Sequence, residues 1–302
     1  MSPSDGETGR CGFVAIIGRP NVGKSTLLNA LIGEKISIVT DKPHTTRQRV
    51  LGVLNRGADQ AVFIDTPGLA RRTKRALHRL MARQIHQAVE DCDVALLLVE
   101  AKGIGRDDRA LIDILESKLD RTFLVLNKID ALPAKSQLLP TLQSLSDRPF
   151  AAMIPISAQT GENLPRLVDE IFARLPVGPP LFPKDMVTDR DLKFRIAEVI
   201  REKLMTLVHK EVPYGLTVEV EHLGKNDAGQ RVVHALIWLE RESQKSIVIG
   251  KQGQVLKQAG SAARLELADM LGERVHLELW VKVREHWADN ERELQRLGFD
   301  VS

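Results

Sequence analysis

Two cysteines in 302 residues are too few for a disulfide framework. Cys11 and Cys92 each adjoin a strand-like apolar run, which marks them as core or near-core thiols rather than nucleophiles. Long apolar runs are also missing. No stretch approaches the roughly 18 residues needed to cross a bilayer, and residues 1–8 are polar and acidic, unlike a basic-then-apolar signal peptide. A disordered lead-in over residues 1–10 and a cytoplasmic location are expected. No tandem repeat, low-complexity tract or second phosphate-binding loop interrupts the chain. A large charge excess is absent too: the net charge is +3, so any nucleic-acid contact must come from local clustering.

What remains is an ordinary globular composition, 43% hydrophobic and 27% charged, at a length that fits two domains. Short apolar runs at 14–17, 61–64, 94–99, 123–126 and 153–156 alternate with helical stretches, the signature of a parallel sheet whose strands are buried on both faces. Residues 50–54 run into 61–64 through a turn too short for a helix, so one antiparallel strand belongs at the sheet edge. Four prolines within 175–183 exclude a helix or a central strand. This divides the chain into a first domain over 11–175, a linker over 176–189 and a second domain over 190–302. The second reads helix, strand, strand, helix, helix, strand: 191–209, 216–221, 232–240, a turn of helix, 255–271 and 275–283, with a last helix near 289–297.

Gly18-Arg19-Pro20-Asn21-Val22-Gly23-Lys24-Ser25, followed by Thr26, is a G-x-x-x-x-G-K-[ST] loop between a strand and a helix. Glycine-permitted backbone turns successive N–H groups toward phosphate oxygens at a helix N-terminus. Lys24 supplies a point charge to the terminal phosphates, and the Ser25 hydroxyl a ligand for magnesium. Asp65-Thr66-Pro67-Gly68 follows a strand. Asp65 can hold magnesium through water, Gly68 can offer its N–H to a terminal phosphate, and Thr66 stabilises the turn. Asn127-Lys128-Ile129-Asp130 closes another strand, and the Asp130 carboxylate can accept the two N–H donors that guanine presents and adenine does not. Ser157-Ala158 adds a backbone contact to the guanine oxygen.

These motifs resemble the translation-factor-related GTPases, and within them the bacterial ribosome-assembly GTPases, over nearly the whole chain. The resemblance implies that Thr45-Thr46 belongs to the first switch, with Thr46 chosen as the magnesium ligand. It implies slow intrinsic hydrolysis, because Leu69 stands where many GTPases carry a water-orienting glutamine. GTPases of that kind often use potassium at the phosphate loop, held by an asparagine matching Asn21. Arg47, Arg49, Arg71 and Arg72 are read as solvated switch residues. Lys24, Asn21, Thr46 and Gly68 are thus the candidate catalytic residues.

In the second domain Ile249-Gly250-Lys251-Gln252-Gly253 looks like the G-x-x-G loop of a KH domain of the prokaryotic, type II, α+β arrangement, which clamps single-stranded RNA backbone. Lys245, Lys251, Lys257 and Arg264 make residues 243–265 basic, with no acidic residue among them. Trp238 and Trp280 lie in apolar runs and are read as core. The resemblance implies binding of GTP and GDP, of the single-stranded 3′ end of 16S rRNA and of the 30S subunit by a monomer. It leaves open a peripheral contact with the inner membrane. Two other readings compete: a phosphate-loop phosphotransferase, which has no use for N-K-x-D or G-x-x-G, and a different RNA-binding bacterial GTPase.

Overall fold

The computed structural model describes residues 8–68, 75–209 and 212–300. Its residues fall into two compact units. One comprises the described parts of 1–37, 46–71 and 81–189, the other those of 38–45, 72–80 and 190–302.

The first unit is built on β1 (Gly9–Ile17), β2 (Val50–Arg56), β3 (Asp59–Asp65), β4 (Val94–Glu100), β5 (Thr122–Asn127), β6 (Ala152–Pro155) and a two-residue β7 (Val177–Gly178). The order is β2-β3-β1-β4-β5-β6. All these pairs are parallel except β2 with β3, whose hairpin puts the antiparallel strand at the edge. Continuous apolar strands such as Val94–Glu100 are buried along nearly their whole length, as a sheet covered on both faces requires. The elements α1 (Lys24–Ile32), α2 (Ala76–Asp91), α3 (Arg106–Ile114), α4 (Leu139–Gln143) and α5 (Leu164–Arg174) supply the crossovers. Cys11 and Cys92 are both buried free thiols.

Two details depart from the sequence pattern. β1 starts at Gly9, and β7 arises inside the proline-rich segment, pairing antiparallel with Gly9 and Arg10. It can do so because β4 pairs with β1 only from Val14 onward, which leaves the start of β1 open on that side. Beyond β7 the chain stays on the first unit: the Gln60 side chain binds the backbone of Leu181 and Phe182, and Val53 N donates to Val187 O at 2.9 Å.

The second unit contains α6 (Leu192–Leu207), β8 (Leu216–Lys225), β9 (Arg231–Leu239), α7 (Glu242–Ile249), α8 (Gln254–Leu271), β10 (Val275–Val283) and the short α9 (Glu291–Arg296). Asp191 caps α6 by accepting from Phe194 N. β8 and β9 are antiparallel, β9 and β10 parallel, and β10 is an edge. Val233, Ala235, Ile237 and Leu239 of β9 pack with Ile196, Ile200 and Leu204 of α6 and Ala259, Ala263 and Leu267 of α8. The apolar stripe of α6 is therefore spent on this core. Trp238 is buried, but Trp280 is 42% exposed, against expectation. The strand period of two explains it: Leu277, Leu279 and Val281 join the core, so Trp280 must point to the other face. Among the described residues no helix is long and apolar enough to cross a membrane.

Candidate nucleotide and nucleic-acid sites

The C-terminal ends of the parallel strands bring the first-unit motifs together, as open α/β sheets do with ligand sites. Asp65, Glu100 and Asn127 are the last residues of β3, β4 and β5, and Gly18 follows β1. Gly23 has φ +99, a left-handed conformation, and caps α1 at Lys24. A Cβ at Gly23 would lie 2.4 Å from Asn127 Nδ2, so both freedom and close approach demand glycine here. Asn127 ties the two motifs into one site: Nδ2 donates to Val22 O at 2.8 Å, and Oδ1 accepts from Ala158 N at 2.9 Å. Lys128 Nζ donates to Asn21 O at 2.6 Å and to Glu100 Oε1 at 2.7 Å. Asp130 is exposed, with Oδ1 2.5 Å from the Ser157 hydroxyl that donates to it. The Ala158 N–H, expected for the guanine oxygen, here holds Asn127.

Under the loop lies an oxygen cluster. Ser25 Oγ is 2.9 Å from Thr46 Oγ1 and donates to Asp65 Oδ2 at 2.8 Å, and Thr46 Oγ1 reaches the same carboxylate oxygen at 3.3 Å. Thr45 points elsewhere, to Thr40 Oγ1 and Lys42 O. The remaining Asp65 oxygen, Oδ1, is buried without a hydrogen-bond partner. Two hydroxyls and a carboxylate are the hard oxygen ligands magnesium prefers, and the orphaned oxygen leaves room for a further contact. The residues fit that ion. Among the described residues no three His, Cys, Asp or Glu side chains gather into a softer metal centre.

Lys24 is buried, and its Nζ donates to Gly18 O at 3.0 Å and Arg19 O at 3.1 Å. Desolvation pushes its pKa down to about 8, with the Asp65 charge acting the other way. Burial likewise raises the Asp65 carboxyl, opposed by Lys24 and by the hydroxyls of Ser25, Ser37 and Thr46. The Thr66 hydroxyl donates to Ile16 O at 2.8 Å and fixes the turn to β1. A Cβ at Gly68 would lie 2.8 Å from Pro20 N, which sets that turn directly against the phosphate loop. Asn21 is exposed, with φ 64, and Thr26 is half-buried in the first turn of α1. Arg49 is half-buried, but Arg47 is buried rather than solvated, within the buried run that begins at Thr46, the residue held at the Asp65 cluster. Leu69, Arg71 and Arg72 lie outside the described residues.

Sequence reasoning missed Asn29, Ser37, Glu100 and Asp108. Ser37 Oγ donates to Asp65 Oδ2 at 2.9 Å, and Asn29 anchors that segment by accepting from the Ile36 and Ser37 N–H groups. Neither belongs to a local motif. Arg19 bridges Glu100 at 3.3 Å and the buried Asp108 at 3.2 Å. Burial alone would raise the Glu100 carboxyl, but the Lys128 hydrogen bond and charge, with Arg19, hold it below the usual range. Its place at the end of β4 was the available signal.

In the second unit the G-x-x-G loop joins α7 to α8. Gly250 has φ 76, and a Cβ there would meet Val255 N at 2.9 Å. Gln252 takes a left-handed φ of 51 and Gly253 one of 77, so the loop turns within four residues and leaves Lys251 and Gln252 exposed. Beside it a cavity of about 370 Å³ is lined by Gly253, Leu256, Lys257, Gly260, Arg264 and β10 residues Leu277 and Leu279. The structure thus brings Lys257 and Arg264 to the groove. Lys245 sits one turn earlier on α7 and pairs with Glu242 at 3.3 Å, and Ile249 ends that helix half-buried.

Comparison with known proteins agrees with both halves. A family model described as 50S ribosome-binding GTPase matches residues 13–128, and a KH domain model matches 211–288. GTPase Era of Glaesserella parasuis is 46% identical over 290 residues, covering 96% of this chain and 97% of that protein. GTPase Era of Yersinia enterocolitica is 44% identical over 297 residues, 98% of each. Among solved structures, a variant of Aquifex aeolicus Era bound to GDP and AlF4− superposes with a TM-score of 0.93 at 40% identity, covering 97% of this chain and all of that one. Era in complex with MgGDPNP and nucleotides 1506–1542 of 16S ribosomal RNA gives 0.93 at 39% identity, with the same coverage.

Proposed function

Since the chain belongs to the Era family of GTPases, we propose that it is a GTP-hydrolysing switch that binds the single-stranded 3′ end of 16S rRNA and assists assembly and maturation of the 30S subunit. In this reading residues 11–175 form the GTPase domain and 190–302 the KH domain, and the protein acts as a cytoplasmic monomer. The observation that carries it is Asn127, which joins the phosphate loop at Val22 to the guanine loop at Ala158. A phosphotransferase has no need of that junction.

The chain's own groups then divide the work. Gly18 to Ser25 wraps the phosphates with backbone N–H groups at the start of α1, and Lys24 exchanges its carbonyl partners for phosphate oxygens. Ser25, Thr46 and Asp65 hold magnesium, Asp65 through water; the ion, when bound, neutralises charge on the β- and γ-phosphate oxygens. Gly68 offers its N–H to the γ-phosphate. Asp130, steadied by Ser157, accepts the guanine N–H donors, while Lys128 braces the loop against Asn21 and Glu100. The side-chain oxygen of the exposed Asn21 would supply a ligand to a potassium ion at the phosphate loop. On the RNA side, Gly250 to Gly253 clamps backbone and Lys257 and Arg264 meet phosphates along the groove.

Crosslinking the protein to RNA in its GTP and GDP states, with sequencing of the bound fragments, tests this function. Recovery of one 3′-terminal region, greater with GTP, is expected. Equal recovery at random sites would sink the switch.

A further inference from the structure

The groove beside the G-x-x-G loop is short. A loop of this kind clamps about four nucleotides, and its far wall is Leu277 and Leu279 of β10. β10 is the edge of its sheet. A strand leaving the groove therefore has one β-strand's width to cross before reaching the opposite face.

That face carries side chains a purely solvating surface does not need. Trp280 is 42% exposed there, although the core on the other side is closed without it. His234 stands edge-on to Trp280 with ring centroids 5.3 Å apart, and His222 lies 5.1 Å from His234. In the next row Lys282 Nζ and the Arg284 guanidinium lie 5.8 and 4.6 Å from the Trp238 ring centre, Arg284 also pairing with Glu293 at 2.7 Å. The carboxylates of this face are engaged by neighbours. Glu219 accepts from the Trp238 indole at 2.8 Å, and Glu278 meets His276 at 3.0 Å and His234 at 3.7 Å. The result is an exposed indole, steadied by imidazoles and with cations within reach, on a rigid sheet. Base stacking with phosphate neutralisation requires those elements.

We propose that the open face of this sheet, centred on Trp280, is a second RNA-binding surface that receives the strand emerging from the G-x-x-G groove and stacks its bases on Trp280 and the adjacent imidazoles. The inference rests on the RNA-binding reading above and extends it from a clamp to a continuous track over the β10 edge. A second copy of the chain is the competing occupant, and the test, with self-association measured alongside, separates the two.

The full-length protein is titrated with RNA corresponding to nucleotides 1506–1542 of 16S rRNA, using wild type, Trp280→Ala, Trp280→Phe and the Lys251→Asp/Gln252→Asp double variant, with nuclease footprints of each complex. Trp280→Ala should weaken binding roughly 5- to 100-fold, the range for one lost stacking contact. Its footprint should shorten on one side while the groove nucleotides stay protected. Trp280→Phe, which keeps a π face, should restore most of the affinity and the full footprint, separating stacking from folding. Unchanged affinity and footprint in Trp280→Ala, while the double variant loses binding, overturns the second surface and leaves the groove standing. If Trp280→Ala leaves RNA binding intact but abolishes self-association, the face belongs to a second copy and the inference falls. Full binding by the double variant removes the RNA-binding reading of the groove, and the continuous track with it.

Discussion

The nucleotide site and the RNA groove are built on opposite plans. In the first, Lys24, Thr46, Asp65, Asn127 and Ser157 are buried, and each is hydrogen-bonded to another part of the same site. In the second, Lys251, Gln252, Lys257 and Arg264 stand in water around a turn whose backbone, not its side chains, is the fixed part. A site that must choose one base and align a phosphate benefits from groups that cannot rearrange. A site that must follow a flexible strand benefits from charge and an open wall. The difference also says where damage spreads: through the bonded network in the first, and contact by contact in the second.

The largest effect that would break this comparison is at Asp130, the exposed member of the nucleotide site. Asp130→Asn should lower GTP affinity by roughly 100-fold or more, since two charge-assisted hydrogen bonds are lost at about 1.5–3 kcal/mol each. It should raise affinity for xanthosine triphosphate, whose carbonyl can accept from the new amide, and leave the RNA affinity of the nucleotide-free protein unchanged. A parallel drop for both nucleotides by equilibrium titration would mean that Asp130 supports the loop rather than reading the base.

A smaller effect comes from Lys24. Its pKa of about 8 lies below the ordinary lysine value because it is buried, and a bound phosphate must raise it again. Binding therefore takes up a proton above pH 8. GDP affinity should be level below that pH and fall above it by up to about tenfold per unit, while RNA affinity in the same range stays nearly flat. A GDP affinity that is constant from pH 7 to 9.5 would show that Lys24 is already charged in the free protein.

The smallest effect sharpens the boundary between the two plans. Asn21 is the one exposed residue of a loop whose other members are buried or half-buried, and potassium should accelerate GTP turnover over sodium by about tenfold, the weight of one contact to a charged group. Asn21→Ala should remove that difference. Equal turnover in both salts for the wild-type protein would take the ion out of the mechanism.

The parts legible in the sequence are those whose chemistry is local. A phosphate loop needs its glycines and lysine in eight consecutive residues, and a buried parallel strand must be apolar throughout, so both the site's frame and the sheet could be read directly. The antiparallel hairpin from Val50 to Asp65 was visible for the same reason, in a short turn. Choices made by tertiary packing were not visible. Thr45 and Thr46 are chemically alike, and only the path of the chain carries Thr46 to Ser25. Ser37 meets Asp65 across 28 positions. The apolar run around Trp280 suggests core for that ring, whereas strand alternation assigns it to the open face. The charge of Arg47 suggests a solvated side chain, whereas it lies in the buried run that follows Thr46.

The 2.4 Å separation between a side chain at position 23 and the amide of Asn127 has a meaning for heredity as well as for binding. Two stretches of chain more than a hundred residues apart form a single unit of variation. A larger residue at 23 would strain its left-handed backbone and push the Asn127 amide away from Val22 O, so one change would disturb both stretches together. On the proposed roles, phosphate capture and base choice are thereby linked against drift, and a new nucleotide preference would enter more readily at the exposed Asp130.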